Sequence, residues 1–291
     1  MSFLKWIIFI AVAAYLALTA IVFLTQRSFQ YILPDVYVTP QAAGVDMKEI
    51  NYSMRPGVGA GVDIVPDLTF WYAAPISDSA PVIMFFHGNG SAVYSNSHIF
   101  SDLMAERYGV LSVAYTGYPG SGGRATHNAI VRAAKFQRDW LGSQNIADDR
   151  IVYFGTSLGS GVAAQLTALE PPALLIMDVP FNSTLDMGKR MMPFLPVSLL
   201  MKDRFRSDLA LQTYDGPMIW MHGTKDRIIP ISQGQKLYDG YDGPKSAHVF
   251  EGGHHTNLWE LGGREIVLSR LGEMFPFAAP QDHADIESGE D

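Results

Sequence analysis

The chain has 291 residues, 48% of them hydrophobic, and no linker-like segment divides residues 30 to 275, so its composition indicates one globular domain with ample core material. It contains no cysteine, which excludes disulfides, thiolate metal sites and cysteine nucleophiles. The formal net charge of −8 comes without a stripe of lysine and arginine. This argues against nucleic acid as a partner, because neutralising phosphates supplies most of that affinity.

An uncharged segment near the N-terminus predicts a membrane anchor. No charged residue occurs in Trp6–Leu24, and a helix of that length reaches about 28 Å, close to the ~30 Å hydrocarbon core of a bilayer. We therefore assign residues 1–27 to a single membrane-spanning helix. The alternative is a cleaved signal peptide, but the apolar run is longer than a usual h-region and no small-x-small cleavage site ends it. The flanking charges, Lys5 and Arg27, leave open which side of the membrane the rest of the chain faces.

The residues after the anchor predict an α/β fold. Val62–Ala73 is expected to form strands of an early antiparallel hairpin. Six short apolar runs then alternate with longer amphipathic stretches, and continuous apolar strands are typical of a mostly parallel sheet that helices cover on both faces. The six predicted strands are Val82–Phe86, Val110–Tyr115, Ile151–Phe154, Ala173–Met177, Met218–Met221 and Ala247–Phe250. The predicted helices include Thr126–Leu141, Ile231–Tyr241 and Asn257–Leu271.

The third of these strands runs into a nucleophile-elbow motif. Gly155-Thr156-Ser157-Leu158-Gly159 follows Ile151–Phe154 directly, and the flanking glycines lack the Cβ atoms that would collide in a sharp strand-to-helix turn. Such a turn lifts the serine hydroxyl above the sheet. Because the pattern also occurs by chance, its context decides its meaning.

A serine nucleophile needs a base to take its proton and an acid to hold that base. In a parallel α/β sheet such groups gather at the carboxyl ends of the strands. Ser157, Asp226 and His255 follow strands in the chain order nucleophile, acid, histidine, and we predict that they form a catalytic triad. Asp178, at the end of the fourth strand, is an alternative acid and is otherwise expected to cap a turn or a helix. His254 is an alternative base.

The tetrahedral intermediate of such a reaction also needs fixed N–H donors for its oxyanion. We expect one donor to be the backbone N–H of Leu158, at the start of the helix after the elbow. The second is expected to be the backbone N–H of Asn89, in the turn His87-Gly88-Asn89-Gly90 that follows the first parallel strand. His87 itself is expected to have a structural role.

Five segments of the chain carry a family resemblance. They are His87-Gly88-Asn89-Gly90, Gly117-Tyr118 with Gly120-Ser121-Gly122-Gly123, the elbow, Pro196 with Lys202-Asp203-Arg204-Phe205, and His222-Gly223-Thr224-Lys225-Asp226 followed by Pro230. On these residues the chain, over roughly residues 28 to 272, resembles the α/β-hydrolase superfamily. Within that superfamily it is similar to N-terminally anchored serine hydrolases related to the ABHD depalmitoylases and the prolyl-oligopeptidase-like hydrolases.

The resemblance implies an α/β-hydrolase fold and a serine hydrolase activity. That branch usually has Gly-His-Asn-Asp around the base, where this chain has His254-His255-Thr256-Asn257. The alignment implies His255 as the base, and the chain departs from the pattern at His254 and Thr256.

The segment between the fourth and fifth strands is expected to form a small helical cover over the site. Residues 181–211 are rich in methionine and leucine, and flexible methionines suit an adaptable apolar pocket, although the same residues would also pack a helix onto the body. We place the catalytic domain, including this cover, at residues 28–275. An acidic flexible tail is expected at residues 276–291.

These expectations combine into a membrane-anchored serine hydrolase that cleaves carboxylesters or acyl thioesters of small or lipid-like substrates through an acyl-enzyme intermediate. The alternatives are a peptidase-like serine hydrolase and a catalytically inactive binding protein of the same fold. The oligomeric state stays open.

No cofactor and no metal is expected. Gly120–Ala125 fits the dinucleotide pattern G-x-G-x-x-A, but it follows the second strand and no acid ends the next strand. The adjacent His254 and His255 lack the i, i+4 spacing of a helical zinc pair.

Overall fold

The computed structural model describes residues 3–53 and 67–276. The strands are β1 Lys48–Tyr52, β2 Leu68–Ala73, β3 Val82–Phe86, β4 Gly109–Ser112, β5 Ile151–Thr156, β6 Leu174–Asp178, β7 Met218–Gly223 and β8 Lys245–Phe250. The α-helices are α1 Phe3–Gln30, α2 Ser97–Ala105, α3 His127–Ser143, α4 Leu158–Thr167, α5 Thr184–Met191, α6 Val197–Leu200, α7 Ser207–Ala210, α8 Ile231–Asp239 and α9 Arg264–Met274.

The described strands form one sheet in the order β1-β2-β4-β3-β5-β6-β7-β8. β1 and β2 pair antiparallel, β2 is antiparallel to β4, and the strands from β3 to β8 are parallel. β3 lies between β4 and β5, so the chain leaves β3 to one side and later returns to the other. Such a switch in strand order leaves a crevice at the carboxyl ends of the strands, where ligands bind in open α/β sheets.

The predicted α/β class with a mostly parallel sheet is confirmed, and the strands agree closely with the apolar runs. The difference is largest at β4, which ends at Ser112 rather than at Tyr115. Beyond Ser112 the backbone of Ala114 bonds to a side chain: its N–H donates to Gln137 Oε1 and its C=O accepts from Gln137 Nε2, both at 2.8 Å. A side-chain amide therefore replaces the neighbouring strand there.

Two predicted segments differ from the structure. The predicted hairpin Val62–Ala73 is seen only as β2, which pairs with the earlier β1, and residues 62–66 lie outside the described residues. The single helix predicted for Asn257–Leu271 is wrong, because a helical turn, Trp259–Gly263, precedes α9. At Gly262 the backbone has φ = 118°, a left-handed conformation that interrupts a helix and favours glycine.

The chain connects β6 to β7 through α5, α6 and α7, which we call the cover (residues 181–211). Among the described residues, α1 is the helix long and apolar enough to cross a membrane. α1 is thus a candidate membrane span. Of the predicted acidic tail, residues 277–291 lie outside the described part of the chain.

Candidate active site

The elbow is a sharp turn between β5 and α4. Ser157 has φ = 54° and ψ = −120°, an unfavourable conformation for a non-glycine residue that recurs where a fold fixes a functional side chain. The two glycines make this turn sterically possible. A Cβ on Gly155 would lie 2.6 Å from the carbonyl oxygen of Gly159, and one on Gly159 would overlap the carbonyl oxygen of Phe86. The sequence Gly-x-Ser-x-Gly is therefore required by the backbone path.

The structure brings Ser157, His255 and Asp226 together. Along the chain, His255 is 98 positions from Ser157 and 29 positions from Asp226. His255 Nε2 lies 2.9 Å from Ser157 Oγ, and His255 Nδ1 lies 2.7 Å from Asp226 Oδ2. Both distances are within the range of hydrogen bonds. The carboxylate fixes the tautomer with the proton on Nδ1, which leaves Nε2 as an acceptor for the serine proton. The arrangement has the geometry of an activated nucleophile with its base and its orienting acid.

The Asp226 carboxylate is held ionised at a buried position. Its side chain is fully buried, and its Oδ1 accepts hydrogen bonds from the backbone N–H groups of Ile228 and Ile229 at 2.8 and 2.9 Å. Burial alone raises the pKa of this carboxyl, but the hydrogen bond from His255, its charge and the two N–H groups outweigh burial and leave the pKa below its usual value. The carboxylate is therefore suited to stabilise an imidazolium.

Asp178 lies beside the elbow but does not reach His255 with a hydrogen bond in the described structure. Its Oδ2 accepts from Thr156 Oγ1 at 2.9 Å, and its backbone carbonyl accepts from the Ser157 N–H at 3.0 Å. Asp178 thus braces the elbow. Asp178 was expected to cap a turn or a helix, but its side chain bonds to Thr156 on the neighbouring strand, and Ser183 caps α5 by accepting from the Asp186 N–H. Burial raises the pKa of the Asp178 carboxyl to about 6, against a smaller opposing effect of the Thr156 hydrogen bond.

The two adjacent histidines have different surroundings. His255 is the one in contact with Ser157, whereas His254 is exposed and its Nδ1 lies 3.3 Å from the carbonyl oxygen of Lys225. The His254 N–H donates to Asn257 Oδ1 at 2.7 Å. This bond anchors the turn that directs the next side chain inward.

The predicted oxyanion turn lies beside the elbow and is bonded to the segment that follows α1. Asn89 Oδ1 accepts from the Ile32 N–H at 2.7 Å and from the Tyr118 hydroxyl at 3.3 Å, and the Gly90 N–H donates to the Ile32 carbonyl at 3.1 Å. Among the described residues, no acceptor engages the backbone N–H of Asn89 or of Leu158. Both donors therefore stay available for an oxyanion.

His87 is buried beneath this turn. Its ring packs on those of Tyr115 and Tyr118, with centroids 4.1 and 5.2 Å apart, and its carbonyl accepts from the Tyr115 hydroxyl at 3.0 Å. Burial lowers the pKa of His87 to about 4. A neutral, enclosed imidazole of this kind supports the turn.

An apolar cavity of about 250 Å³ opens beside Ser157. The cover contributes the methionines Met187, Met191, Met192 and Met201 to its lining. The last turns of α1 contribute Val22, Gln26, Phe29 and Gln30. The apolar N-terminal helix is thus part of the pocket as well as a candidate anchor, a relationship that no local pattern in the sequence indicates.

His222 is a site residue to which the sequence analysis assigned no role. Its Nδ1 accepts from Trp220 Nε1 at 3.3 Å, so the proton is on Nε2, which donates to the Ile229 carbonyl at 2.9 Å. Burial lowers the pKa of His222 and keeps it neutral. His222 therefore fixes the loop whose N–H groups hold Asp226. The sequence did contain a signal for this role, because His222 stands at the end of a predicted strand, four residues before the predicted acid.

Within residues 3–53 and 67–276, no cluster of three or more histidine, aspartate or glutamate side chains could hold a metal ion. The chemistry that the described groups can perform is nucleophilic attack by Ser157, with proton transfer through His255.

The chain has relatives among known proteins. No protein-family model matches the chain. An uncharacterised protein of Mycobacterium tuberculosis strain CDC 1551 is 30% identical over 216 residues, which cover 72% of this chain and 77% of that protein. A second one, from strain H37Rv, is 29% identical over 268 residues, covering 89% and 91%. The lysophosphatidylserine lipase ABHD12 of Danio rerio is 28% identical over 189 residues, covering 58% of this chain and 49% of that protein.

The fold itself has solved counterparts. An esterase of Pyrococcus furiosus superposes with a TM-score of 0.63 at 20% identity, covering 83% of this chain and 97% of the esterase. The α/β hydrolase GrgF of a Penicillium species superposes with a TM-score of 0.60 at 14% identity, covering 80% and 100%. The chain belongs to the α/β-hydrolase superfamily and is a relative of its ABHD12 proteins.

Proposed function

We propose that this chain is a serine hydrolase that cleaves carboxylesters or acyl thioesters of fatty acids through an acyl-enzyme on Ser157. The observation that carries the proposal is the hydrogen-bonded series Ser157–His255–Asp226, at 2.9 and 2.7 Å, beside an apolar pocket. A serine with a base and an oriented acid is the arrangement that acyl transfer requires.

In the first half-reaction Ser157 Oγ attacks the acyl carbon while His255 Nε2 takes the serine proton. The carbon–oxygen double bond becomes a single bond, and the oxyanion lies against the N–H groups of Asn89 and Leu158. Each such donor contributes about 3 kcal/mol to the stabilisation of the transition state. When the tetrahedral intermediate collapses, His255 gives its proton to the leaving alkoxide or thiolate, and the acyl group stays on Ser157.

In the second half-reaction water replaces the alcohol. His255 Nε2 takes a proton from the water as it attacks the acyl carbon, and the same two N–H groups stabilise the second oxyanion. Collapse releases the carboxylic acid, and His255 returns the proton to Ser157 Oγ. The Asp226 carboxylate remains ionised throughout and stabilises the imidazolium.

The lining of the pocket supports an acyl substrate. Methionine side chains are flexible and polarisable, so they adapt to an alkyl chain, and four of them line the cavity beside the nucleophile. The ABHD12 relatives are named lysophosphatidylserine lipases. A single-chain phospholipid ester is therefore a substrate class to test, together with fatty-acyl thioesters. The apolar helix α1 supports attachment to a membrane, with the catalytic domain beginning near residue 28.

A fluorophosphonate probe tests the nucleophile. The full chain in detergent is expected to react covalently, whereas Ser157→Ala remains unlabelled while keeping its circular dichroism spectrum. The adjacent histidines provide a matched pair of variants: His255→Ala loses labelling because the base is removed, and His254→Ala keeps it. Folded wild-type protein that fails to react would overturn the proposal.

A substrate series tests the bond that is cleaved. Turnover is measured with short p-nitrophenyl esters, long-chain esters, a lysophospholipid, acyl thioesters and peptide amides. The proposal requires esters or thioesters to have the highest kcat/KM. A preference for prolyl amides would assign the chain to peptide hydrolysis instead.

A further inference from the structure

One stripe of α1 packs on the cover. The half-buried residues of this helix are Thr19, Val22, Gln26 and Gln30, which recur at helical spacing, while its other residues are exposed. Gln26 Nε2 donates to the Leu200 carbonyl at 3.1 Å, and Gln26 Oε1 accepts from the Lys202 N–H at 2.8 Å. The cover therefore packs against the C-terminal part of α1.

The contact extends to the middle of the apolar run of α1. The hydroxyl of Tyr15 donates to the carbonyl of Phe194 at 3.1 Å. Tyr15 precedes Leu24, the end of the uncharged run, by a helical distance of about 13 Å, and one leaflet of the hydrocarbon core is about 15 Å thick. When α1 spans a membrane, the part of the cover around Phe194 lies at the depth of the acyl chains.

The surface of the cover suits that depth. Leu199 is 83% exposed, Met191 69% and Phe194 60%. Phe194 and Leu200, which follows Leu199, are hydrogen-bonded to the apolar helix α1, and exposed large apolar groups indicate an interaction surface. The Phe194 carbonyl is also satisfied by Tyr15, as an apolar environment requires of backbone groups.

The charges of the cover suit the headgroup layer. Residues 181–211 contain five lysines and arginines against three aspartates, in a chain whose net charge is −8. Lys189, Arg190, Lys202 and Arg204 are exposed, and in the described parts of the chain none of them forms an ion pair. Long cationic side chains beside apolar residues can reach anionic headgroups while their stems stay in the acyl layer.

We propose that the cover is immersed in the leaflet beside α1, with the lipid acyl chains covering Phe194 and Leu199. The pocket is lined by α1 and the cover together, through Val22, Phe29 and Met191 among others. A single-chain acyl substrate therefore passes from the leaflet into the pocket between these two elements. The immersion of the cover is inferred from its packing against α1, whereas the passage of substrate rests on the proposed function.

The absence of cysteine allows a direct test of the immersion, because each single-cysteine variant carries one label. The full chain with Leu199→Cys or Phe194→Cys is spin-labelled in nanodiscs of phosphatidylcholine and phosphatidylglycerol. Collision with oxygen and with a water-soluble nickel chelate is then measured. Leu169→Cys is the control, because Leu169 is 56% exposed just after the end of α4, away from the elbow.

The labels at positions 194 and 199 are expected to collide with oxygen and to be protected from nickel, and the label at position 169 shows the reverse. Nickel accessibility at positions 194 and 199 equal to that at 169 would overturn the proposal, whatever the catalytic activity.

An activity measurement tests the route of the substrate. Leu199→Asp places a charge in the leaflet, so hydrolysis of a long-chain ester embedded in vesicles is expected to fall about tenfold. Neither Leu199 nor Phe194 lines the pocket, so turnover of a water-soluble short ester and fluorophosphonate labelling stay unchanged. Leu169→Asp changes neither activity.

Equal rates for Leu199→Asp and wild type on the vesicle substrate would contradict entry from the leaflet. If the wild-type chain hydrolyses neither ester and Ser157 is not labelled, the proposed function fails, and the label depths alone decide the immersion.

Discussion

Arg27, in the last turn of α1, donates from Nε to Asp203 Oδ2 of the cover at 2.6 Å. The Asp203 carboxylate is nearly fully buried, and its Oδ1 also accepts from the His127 N–H at 3.0 Å, at the start of α3. Gln30 Nε2 donates to the Asp203 carbonyl at 2.9 Å. One aspartate thus joins the candidate anchor, the cover and a helix of the catalytic domain.

Replacing Asp203 is expected to destabilise the protein more than a surface charge would. Asp203→Ala leaves the Arg27 guanidinium and the His127 N–H without their acceptor, and we expect a loss of about 2 kcal/mol, or about 4 to 8 °C in Tm. Thermal unfolding in detergent measures it. Arg190→Ala, an exposed cation of the same cover, is the control and is expected to change stability by less than about 0.5 kcal/mol. Equal Tm values for the two variants would contradict the role of Asp203.

The side chain of Asn89 is expected to matter through the position of its own N–H. Asn89→Ala removes the acceptor for the Ile32 N–H, so the oxyanion turn is expected to loosen and kcat to fall about tenfold. This loss is smaller than that caused by removing one oxyanion donor entirely, because the Asn89 N–H is displaced but still present. KM for a short ester stays unchanged. Tyr118→Phe removes only the longer bond, at 3.3 Å, and is expected to stay within about twofold of wild type. Steady-state kinetics distinguish the two variants.

The two aspartates near the elbow are expected to differ sharply in catalysis. Asp226→Asn removes the charge that stabilises the imidazolium and the acceptor that fixes its tautomer, so kcat is expected to fall about 10⁴-fold. Asp178→Asn keeps an acceptor for Thr156 Oγ1 and is expected to retain kcat within a few-fold. If Asp178→Asn lost as much activity as Asp226→Asn, the assignment of the acid would be wrong.

The dependence of stability on pH is expected to reveal the raised pKa of the Asp178 carboxyl. Its pKa is about 6 in the folded state, above the ordinary value of 3.8, so its stabilising contribution is complete below pH 3.8 and is lost as the pH rises through 6. Asp178→Asn should therefore be more stable than wild type at pH 8, by about 1 to 3 kcal/mol, and the gain should vanish near pH 4. Urea unfolding at several pH values measures this difference. A gain independent of pH would contradict the assigned cause.

The elbow glycine Gly159 is expected to accept no side chain. A Cβ there would overlap the Phe86 carbonyl oxygen in β3, and since that contact is with backbone, no rotamer relieves it. Gly159→Ala is expected to yield little folded protein. Gly142→Ala is the matched control, because no atom lies within 4 Å of the added Cβ, and the substitution is expected to stabilise α3 by at most about 1 kcal/mol. Soluble yield and circular dichroism compare the two.

The local features of the site were available from the sequence. The elbow is encoded within five residues, because Gly155 and Gly159 are needed wherever a strand turns into a helix around Ser157. The parallel strands were equally visible, since strands buried on both faces are apolar at every position. The order of Ser157, Asp226 and His255 predicted a set of partners, but left Asp178 and His254 as alternatives.

The tertiary structure alone brought distant segments together. Arg27 and Asp203 meet across 176 positions, and the hydrogen bond from Ile32 joins Asn89 to the segment that follows α1. The uncharged run identifies α1 as a candidate membrane span, but not the surface that it contacts. His255 rather than His254 faces Ser157, because the His254 N–H is bonded to Asn257 and the turn directs the next side chain inward. Which of two adjacent residues faces the site depends on hydrogen bonds between loops that are neighbours in space. Composition and spacing along the chain do not reveal these bonds.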